Sequence, residues 1–413
     1  MKVRRIGTGC RAARATTRGL RGLDWLNFLV ANFQTGFGPF VSVYLTGAGW
    51  TQGAVGVALS AGTIASMASQ VPAGALVDGM RSKRMAAAAA IVTIVVSALV
   101  IALWPTFLAI TAAEVLHSFA SAVLGPAIAA ITLALVDPAA FGERLGRNAR
   151  YAAIGNAVAA GVMGACGYYL TDRAVFLFAA ALGIPALVAL ETLREANLAT
   201  LRVCRTASAW IQAGPSQRSW GFVKDRRLIA FACCAALFHL ANAAMLPIAA
   251  GAVTKRAGSE APLVIAACIV GPQIITALLS PWAGRAAEVW GRRPVLLLGF
   301  CALPIRGILL AEVADPYLII AIQLFDGFGA AVFGVLFPLI VADITRSTGH
   351  YTTSLGLVGL AIGGGATLST TVAGLVADHL GGGAAFLSLA AVGLIATGLV
   401  GTIMPETRAP AQG

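Results

Sequence analysis

Long apolar runs alternate along this chain with short polar connections. About 20 apolar residues cross the hydrocarbon core of a bilayer as a helix. Twelve segments meet that length: 23–46, 53–77, 86–104, 107–136, 150–171, 174–192, 227–252, 262–283, 294–312, 316–343, 352–377 and 384–404. The period-two alternation of a membrane β-barrel is absent from them. The pattern predicts an all-α membrane protein with 12 transmembrane helices. Gly and Pro recur inside the runs, as packed membrane helices allow.

Composition agrees with this pattern. The chain is 58% hydrophobic and 11% charged over 413 residues, with a mean hydropathy of +0.84. Soluble domains are about 45–50% apolar and about 25% charged. The formal net charge of +12 would suggest a nucleic-acid partner in a soluble protein, but the positions of the cations give it another cause. All Lys and Arg except Arg173, Lys255, Arg256 and Arg306 fall in the leader, the even-to-odd loops or the tail. The positive-inside rule then places both termini in the cytoplasm, which an even number of spans also requires. The Arg-rich, acid-free opening also has the composition of an organelle transit peptide; a cytoplasmic leader is the reading adopted.

The longest polar connection, 193–226, follows the sixth run. The expected organisation is a basic leader (1–22), a six-helix bundle (23–192), a cytoplasmic linker (193–226), a second bundle (227–404) and a tail (405–413). The two bundles repeat one plan. Gly74 and Asp78 recur 210 positions on as Gly284 and Glu288, each pair followed by a basic cluster. Asn32 matches Asn242, and His117 matches Asp326 at nearly the same spacing. Such parallel repeats fit a transporter whose solute binds between the halves near the bilayer midplane.

On these motifs the chain resembles the major facilitator superfamily (MFS), bacterial and drug-exporter-like, over nearly its full length. The resemblance implies two pseudo-symmetric six-helix bundles and a motif G-x-x-x-D-[RK]-x-G-[RK]-[RK] between helices 2 and 3. Here the first copy keeps Gly74, Asp78, Lys83 and Arg84, whereas the copy between helices 8 and 9 keeps Gly284, Glu288, Gly291, Arg292 and Arg293. The family assigns this motif to a cytoplasmic gate in which the acid faces a helix N-terminus of the other half. Positive-inside anchoring is the plainer reading of Arg81, Lys83 and Arg84 taken singly. Two exporter patterns are degraded: Glu114 stands where helix 4 would carry Arg, and helix 5 lacks the terminal proline of its glycine-rich motif.

Polar residues at mid-membrane depth supply the candidate chemistry. At about 1.5 Å per residue from Phe107, Glu114 and His117 lie roughly 10 and 15 Å into a core about 30 Å thick. They share a helix face. Gln323 and Asp326 repeat the device, and His239 lies on helix 7. In the family, helices 1, 4, 7 and 10 line the cavity, and Glu114, His117, His239 and Asp326 fall on those helices; they are the candidates for proton coupling. Desolvation favours the protonated forms of the two acids, and the histidines titrate near neutrality unperturbed. The candidates for contact with solute are Asn27, Asn32, Gln34, Asn156, Asn242, Gln273 and Gln323. Local packing is the competing reading for Glu114 with His117, and equally for Asn27, Asn156 and Gln273. Arg306, on helix 9, is expected to pair with an acid such as Asp326.

These features predict a secondary active transporter of a small organic solute and not an enzyme: P-loop, dinucleotide and hydrolase fingerprints are absent. The expected partners are solute, protons and membrane lipid, with no nucleic acid. No metal or cofactor is implied, since Cys10, Cys166, Cys204, Cys233, Cys234, Cys268 and Cys301 include no C-x-x-C pair. A monomer in a bacterial inner membrane, exporting its solute in exchange for protons, is the favoured reading. Uptake of an organic acid or metabolite by symport is the alternative, and a membrane sensor or enzyme on a transporter fold is the alternative of another class.

Overall fold

The computed structural model describes residues 17–35, 37, 39–201, 223–257, 261–346 and 348–408. The expected leader (up to 16), most of the expected linker (202–222) and the end of the tail (409–413) lie outside them. Fourteen α-helices and a short 3₁₀ turn (Pro138–Ala140) make up the described chain, and no strand occurs among the described residues.

The first half comprises α1 (Thr17–Gln34), α2 (Pro39–Gly47), α3 (Gln52–Gly79), α4 (Lys83–Leu103), α5 (Phe107–Leu135), α6 (Phe141–Tyr169) and α7 (Asp172–Leu201). The second comprises α8 (Arg226–Asn242), α9 (Met245–Ala257), α10 (Ala261–Trp290), α11 (Arg292–Glu312), α12 (Pro316–Thr345), α13 (Tyr351–Leu380) and α14 (Gly382–Thr402). Ten stretches are long and apolar enough to cross a membrane, one of them formed by α8 together with α9. The expected runs at 23–46 and 150–171 fall on α1 with α2 and on the more polar α6. Helices outrun their apolar windows: α7 continues past Glu191 and Arg194, because backbone hydrogen bonding persists where side chains become polar.

Local sequence sets the helix starts. Thr51, Ser82 and Thr106 cap α3, α4 and α5, each accepting a hydrogen bond from a first-turn amide. Asp315 does the same for α12 through Tyr317 N and Leu318 N. Gly291 and Gly381 turn between antiparallel helices with φ of +99° and +90°, a backbone region other residues resist. The break between α8 and α9 was not foreseen. It lies at Ala243 and Ala244, just before Pro247, which has no amide to give the preceding turn; Ala244 N instead donates to Ser369 Oγ at 3.1 Å.

Lipid tails are as apolar as leucine, so helix contact in a membrane depends on close approach rather than on water exclusion. Glycines provide it, in pairs 210 residues apart. A methyl group at Gly155 would stand 2.3 Å from Phe28 O, and one at Gly365 would stand 2.1 Å from Ala236 O, which fastens α6 to α1 and α13 to α8. Two seams join the halves, α3 against α13 and α6 against α10. They use the same device: Gly74 meets Thr352 O, Gly284 meets Gly142 O, Gly146 meets Ser280 O and Gly356 meets Gln70 O, each within 2.3 Å of a built methyl. The seams are tightest at the end carrying the basic motifs, here termed the basic end. Cross-half hydrogen bonds among the described residues reach from there no farther than Met67 and Thr367.

We predict that Gly155→Val and Gly365→Val each destabilise their half by about 1–3 kcal/mol. Gly161→Val, where a methyl meets nothing within 4 Å, should be close to neutral. Thermal unfolding of the detergent-solubilised protein checks the contrast, and equal effects at all three positions would contradict it.

Candidate functional site: a capped gate and two unequal polar pockets

Three helices at the basic end begin without a side-chain cap of their own: α6, α11 and α13. Acids from elsewhere supply the caps. Asp78, at the end of α3, accepts from Thr352 N at 3.1 Å, Thr353 N at 2.8 Å and Thr353 Oγ1 at 2.7 Å, so a first-half carboxylate sits on the N-terminus of α13. Glu288 of α10 accepts from Gly142 N at 3.1 Å, placing a second-half carboxylate on the N-terminus of α6. Glu406 of the tail accepts from Arg292 N at 2.9 Å and Arg293 N at 3.1 Å, capping α11 within its own half. An unpaired helix amide and the positive end of the helix dipole both favour such an acceptor.

Lys83, Arg84, Arg292 and Arg293 all bond within their own half, and of the four Arg292 alone binds a capping acid through its side chain. Lys83 Nζ donates to Val77 O, Asp78 O and Met80 O, closing the end of α3. Arg292 pairs with Glu288 at 2.9 Å and with Asp343 at 2.9 Å. Arg293 donates to Gly401 O. Arg84 makes a surface pair with Glu191 at 3.0 Å, the kind of contact worth little in stability.

A further cluster escaped the sequence reading. Asp24 of α1, 2% exposed, pairs with Arg144 at 2.7 Å and Arg147 at 2.6 Å, both on α6. Arg144 also donates to Asn148 Oδ1 at 2.8 Å, and Asn148 donates to Thr132 Oγ1 of α5 at 3.1 Å. The cluster ties α1, α5 and α6 together beside Gly142 and Gly146. The available signal was that Asp24 is the sole acid in α1.

The interior polar residues divide into two unlike groups. In the first half, Gln34 Nε2 donates to Ser121 Oγ, which lies 3.3 Å from His117 Nε2. The His117 ring stacks on Phe37 with centroids 3.6 Å apart. Thr35 Oγ1 donates to Asn156 Oδ1 at 3.2 Å. Glu114 makes no hydrogen bond to His117; it turns toward α3, where a methyl added at Gly62 would stand 3.0 Å from Glu114 Oε2. Glu114 is 5% exposed and its Oε1 has no hydrogen-bond partner.

In the second half, Arg306 of α11 is 1% exposed. It pairs with Asp326 at 2.7 Å and donates to Asn242 Oδ1 at 2.6 Å and to Gln323 Oε1. His239 packs edge-on to Phe238 and Phe333. The remaining candidates stand apart from both groups. Asn27 donates back to Leu23 O in its own helix, Asn32 is buried with Oδ1 unpartnered, and Gln273 is half-buried on α10.

The sequence model of the Major Facilitator Superfamily matches residues 23–271 and 231–413. The chain belongs to this superfamily. An uncharacterized MFS-type transporter of Mycobacterium tuberculosis, matched in strains CDC 1551 / Oshkosh and ATCC 25618 / H37Rv, is 37% identical over 394 residues, which is 94% of each chain. Among solved structures, the proton:xylose symporter XylE bound to 6-bromo-6-deoxy-D-glucose superposes with a TM-score of 0.74 at 14% identity, covering 95% of this chain and 96% of that one. At that identity the likeness is one of fold. The protein is thus an integral membrane transporter of the MFS fold.

We predict that Asp78→Ala, which removes both cap and charge from α13, costs the contact between the halves at the basic end about 1–2 kcal/mol. Spin labels at the exposed Met85 and Val289 should then report a larger population of long distances across the basic end. Asp78→Asn, which keeps an acceptor, should fall between. An unchanged distribution in both variants would contradict the capping role.

Proposed function

We propose that this transporter moves a small organic solute outward by alternating access, in exchange for protons carried on Glu114. The observation that carries the reading is the contrast between the two halves at one repeat position. Glu114 and Gln323 are 209 residues apart and occupy equivalent turns of α5 and α12. In the second half Gln323 meets Arg306; the first half has Ser97 at the corresponding place on α4, and no ion pair reaches Glu114 among the described residues. A charged acid at the bilayer centre costs about 2.5–3.5 kcal/mol on insertion scales. A carboxyl with no cation at that depth is therefore a place to hold a proton in this closed-gate state.

The same geometry supports a route from proton to gate. Glu114 rests on Gly62 of α3, and Asp78 ends that helix about 24 Å away. Ionising Glu114 would demand water or a counter-ion in a gap sized for a neutral group. The α3–α5 contact would loosen, and with it the seat of α3 on α13. Asp326 is in the opposite situation, held by Arg306, and its role in this reading is to fix α11 against α12. His117, Gln34, Ser121, His239 and Asn242 remain half-buried on the interior faces, a hydrogen-bonding surface for solute.

The basic end is the cytoplasmic end in this reading, supported by the distribution of Lys and Arg. That orientation puts both termini inside a bacterial inner membrane and makes twelve crossings, with α1–α2 and α8–α9 each counting as one, in a monomer. Outward movement rests on the resemblance to drug-exporter-like members. XylE, a proton symporter, lends the fold and not the direction.

Reconstitution in liposomes under an imposed pH gradient, with a panel of cationic dyes and organic anions, tests the reading. Wild type should drive a solute against its gradient. Glu114→Gln should lose gradient-driven transport by about tenfold or more, on the scale of that desolvation cost, while retaining solute exchange. Gradient-driven transport by Glu114→Gln equal to wild type at every pH would overturn the proton role, and accumulation on the side expected for uptake would reverse the direction.

A further inference from the structure

The second half contains a cavity that the proposed transport cycle does not use. It occupies about 560 Å³ between α9, the turn from α11 to α12, the end of α13 and the start of α14, at the end opposite the gate. Its walls mix apolar side chains, Pro247, Ile248, Leu310, Ile319 and Phe386 among them, with polar surface that includes Thr370. Gly251 and Gly374 also line it, and a methyl built at either meets nothing within 4 Å, so neither position is filled by a neighbouring side chain. Sites for small organic ligands span about 300–1,000 Å³ and join apolar walls to a few polar groups.

Glu312 and Asp378 supply the charge. Both line the cavity and both are exposed, and neither takes part in an ion pair or hydrogen bond among the described residues. The described lining holds no Lys, Arg or His to oppose them. Two helices, α11 and α13, end at this mouth and turn the negative ends of their dipoles toward it. Of the two helices that start there, α12 is already covered by its own Asp315, leaving the start of α14.

The cavity is separate from the interior polar group. Leu310 lies one turn along α11 from Arg306, and Ile319 one turn along α12 from Gln323; both are buried and close the floor. Arg306 therefore does not offset the two carboxylates at the mouth.

We propose that this cavity binds an amphipathic organic cation, with its apolar body between α9 and α13 and its charge between Glu312 and Asp378. An occupant there braces α9, which is set off from α8 by the break at Ala243 and Ala244. The site goes beyond the proposed transport function, because its occupancy can be read by binding alone.

Equilibrium binding of tetraphenylphosphonium to the full-length protein in phosphatidylglycerol nanodiscs tests it, with triphenylphosphine oxide as the neutral comparison. Wild type should bind the cation saturably and the neutral probe at least about tenfold more weakly, as expected when charge complementarity contributes. Glu312→Gln and Asp378→Asn should each weaken cation binding by about fivefold or more, and Gly374→Phe should abolish it by filling open space. Glu114→Gln, in the other half, should leave it unchanged within about twofold, whether or not that variant transports. If binding is absent from wild type, is lost in Glu114→Gln, or is insensitive to both mouth substitutions, the proposal fails. Displacement of the probe by added phosphatidylethanolamine would also overturn it, because the occupant would then be a lipid headgroup. The two carboxylates are exposed, so their substitution leaves packing intact even if Gly374→Phe does not fold.

Discussion

A helix amide that no side chain of its own segment satisfies is the constraint on which this structure turns. The N-termini of α6 and α13 are left bare by their own sequences, and in each case the acceptor comes from the opposite half. Contact between the halves at the basic end therefore completes two helices at once. Glycine makes the arrangement geometrically possible. Only where Gly74, Gly142, Gly146, Gly284 and Gly356 let backbones nearly touch can a short carboxylate reach across. Because lipid gives helices little reason to associate by apolar burial alone, this combination of close approach and borrowed cap carries much of the bond between the halves.

Symmetry governs that bond but stops short of the interior. The seams repeat at 210-residue spacing down to individual glycines, yet the polar groups they enclose do not. Arg306, Asp326, Gln323 and Asn242 form a compact neutralised set in one half, while Glu114 in the other half has neither cation nor complete hydrogen bonding. Asp24 with Arg144 and Arg147 reverses the bias at the basic end: Cys234, Ser354 and Leu357 stand 210 positions on, a set that can form no ion pair. A scaffold shared by two repeats has thus been given different chemistry in each.

Much of the architecture was legible in the sequence, because hydropathy and the placement of Arg and Lys are one-dimensional signals. The runs, the repeat and the motif positions all appear without any knowledge of contacts. The expectation that Arg306 would pair with Asp326 also followed from depth alone. What the sequence hid were relations between distant segments. Glu114 and His117 share a helix face in projection, but the absence of a side chain at Gly62 draws the acid toward α3 and away from the ring. Asp24 looked like one polar residue near a helix start, since its partners lie 120 positions on. The cavity between Glu312 and Asp378 is a property of four helices and leaves no local signature.

The tail offers one last implication. Glu406 completes α11, and Arg408 donates to Val289 O at 2.8 Å, so the chain recrosses the α10–α11 turn just before its final residues. Arg292, whose amide Glu406 holds, is the same residue that steadies Glu288 under α6. A substitution at Glu406 would thus be felt at the start of α6, in the other half, through Arg292 and Glu288.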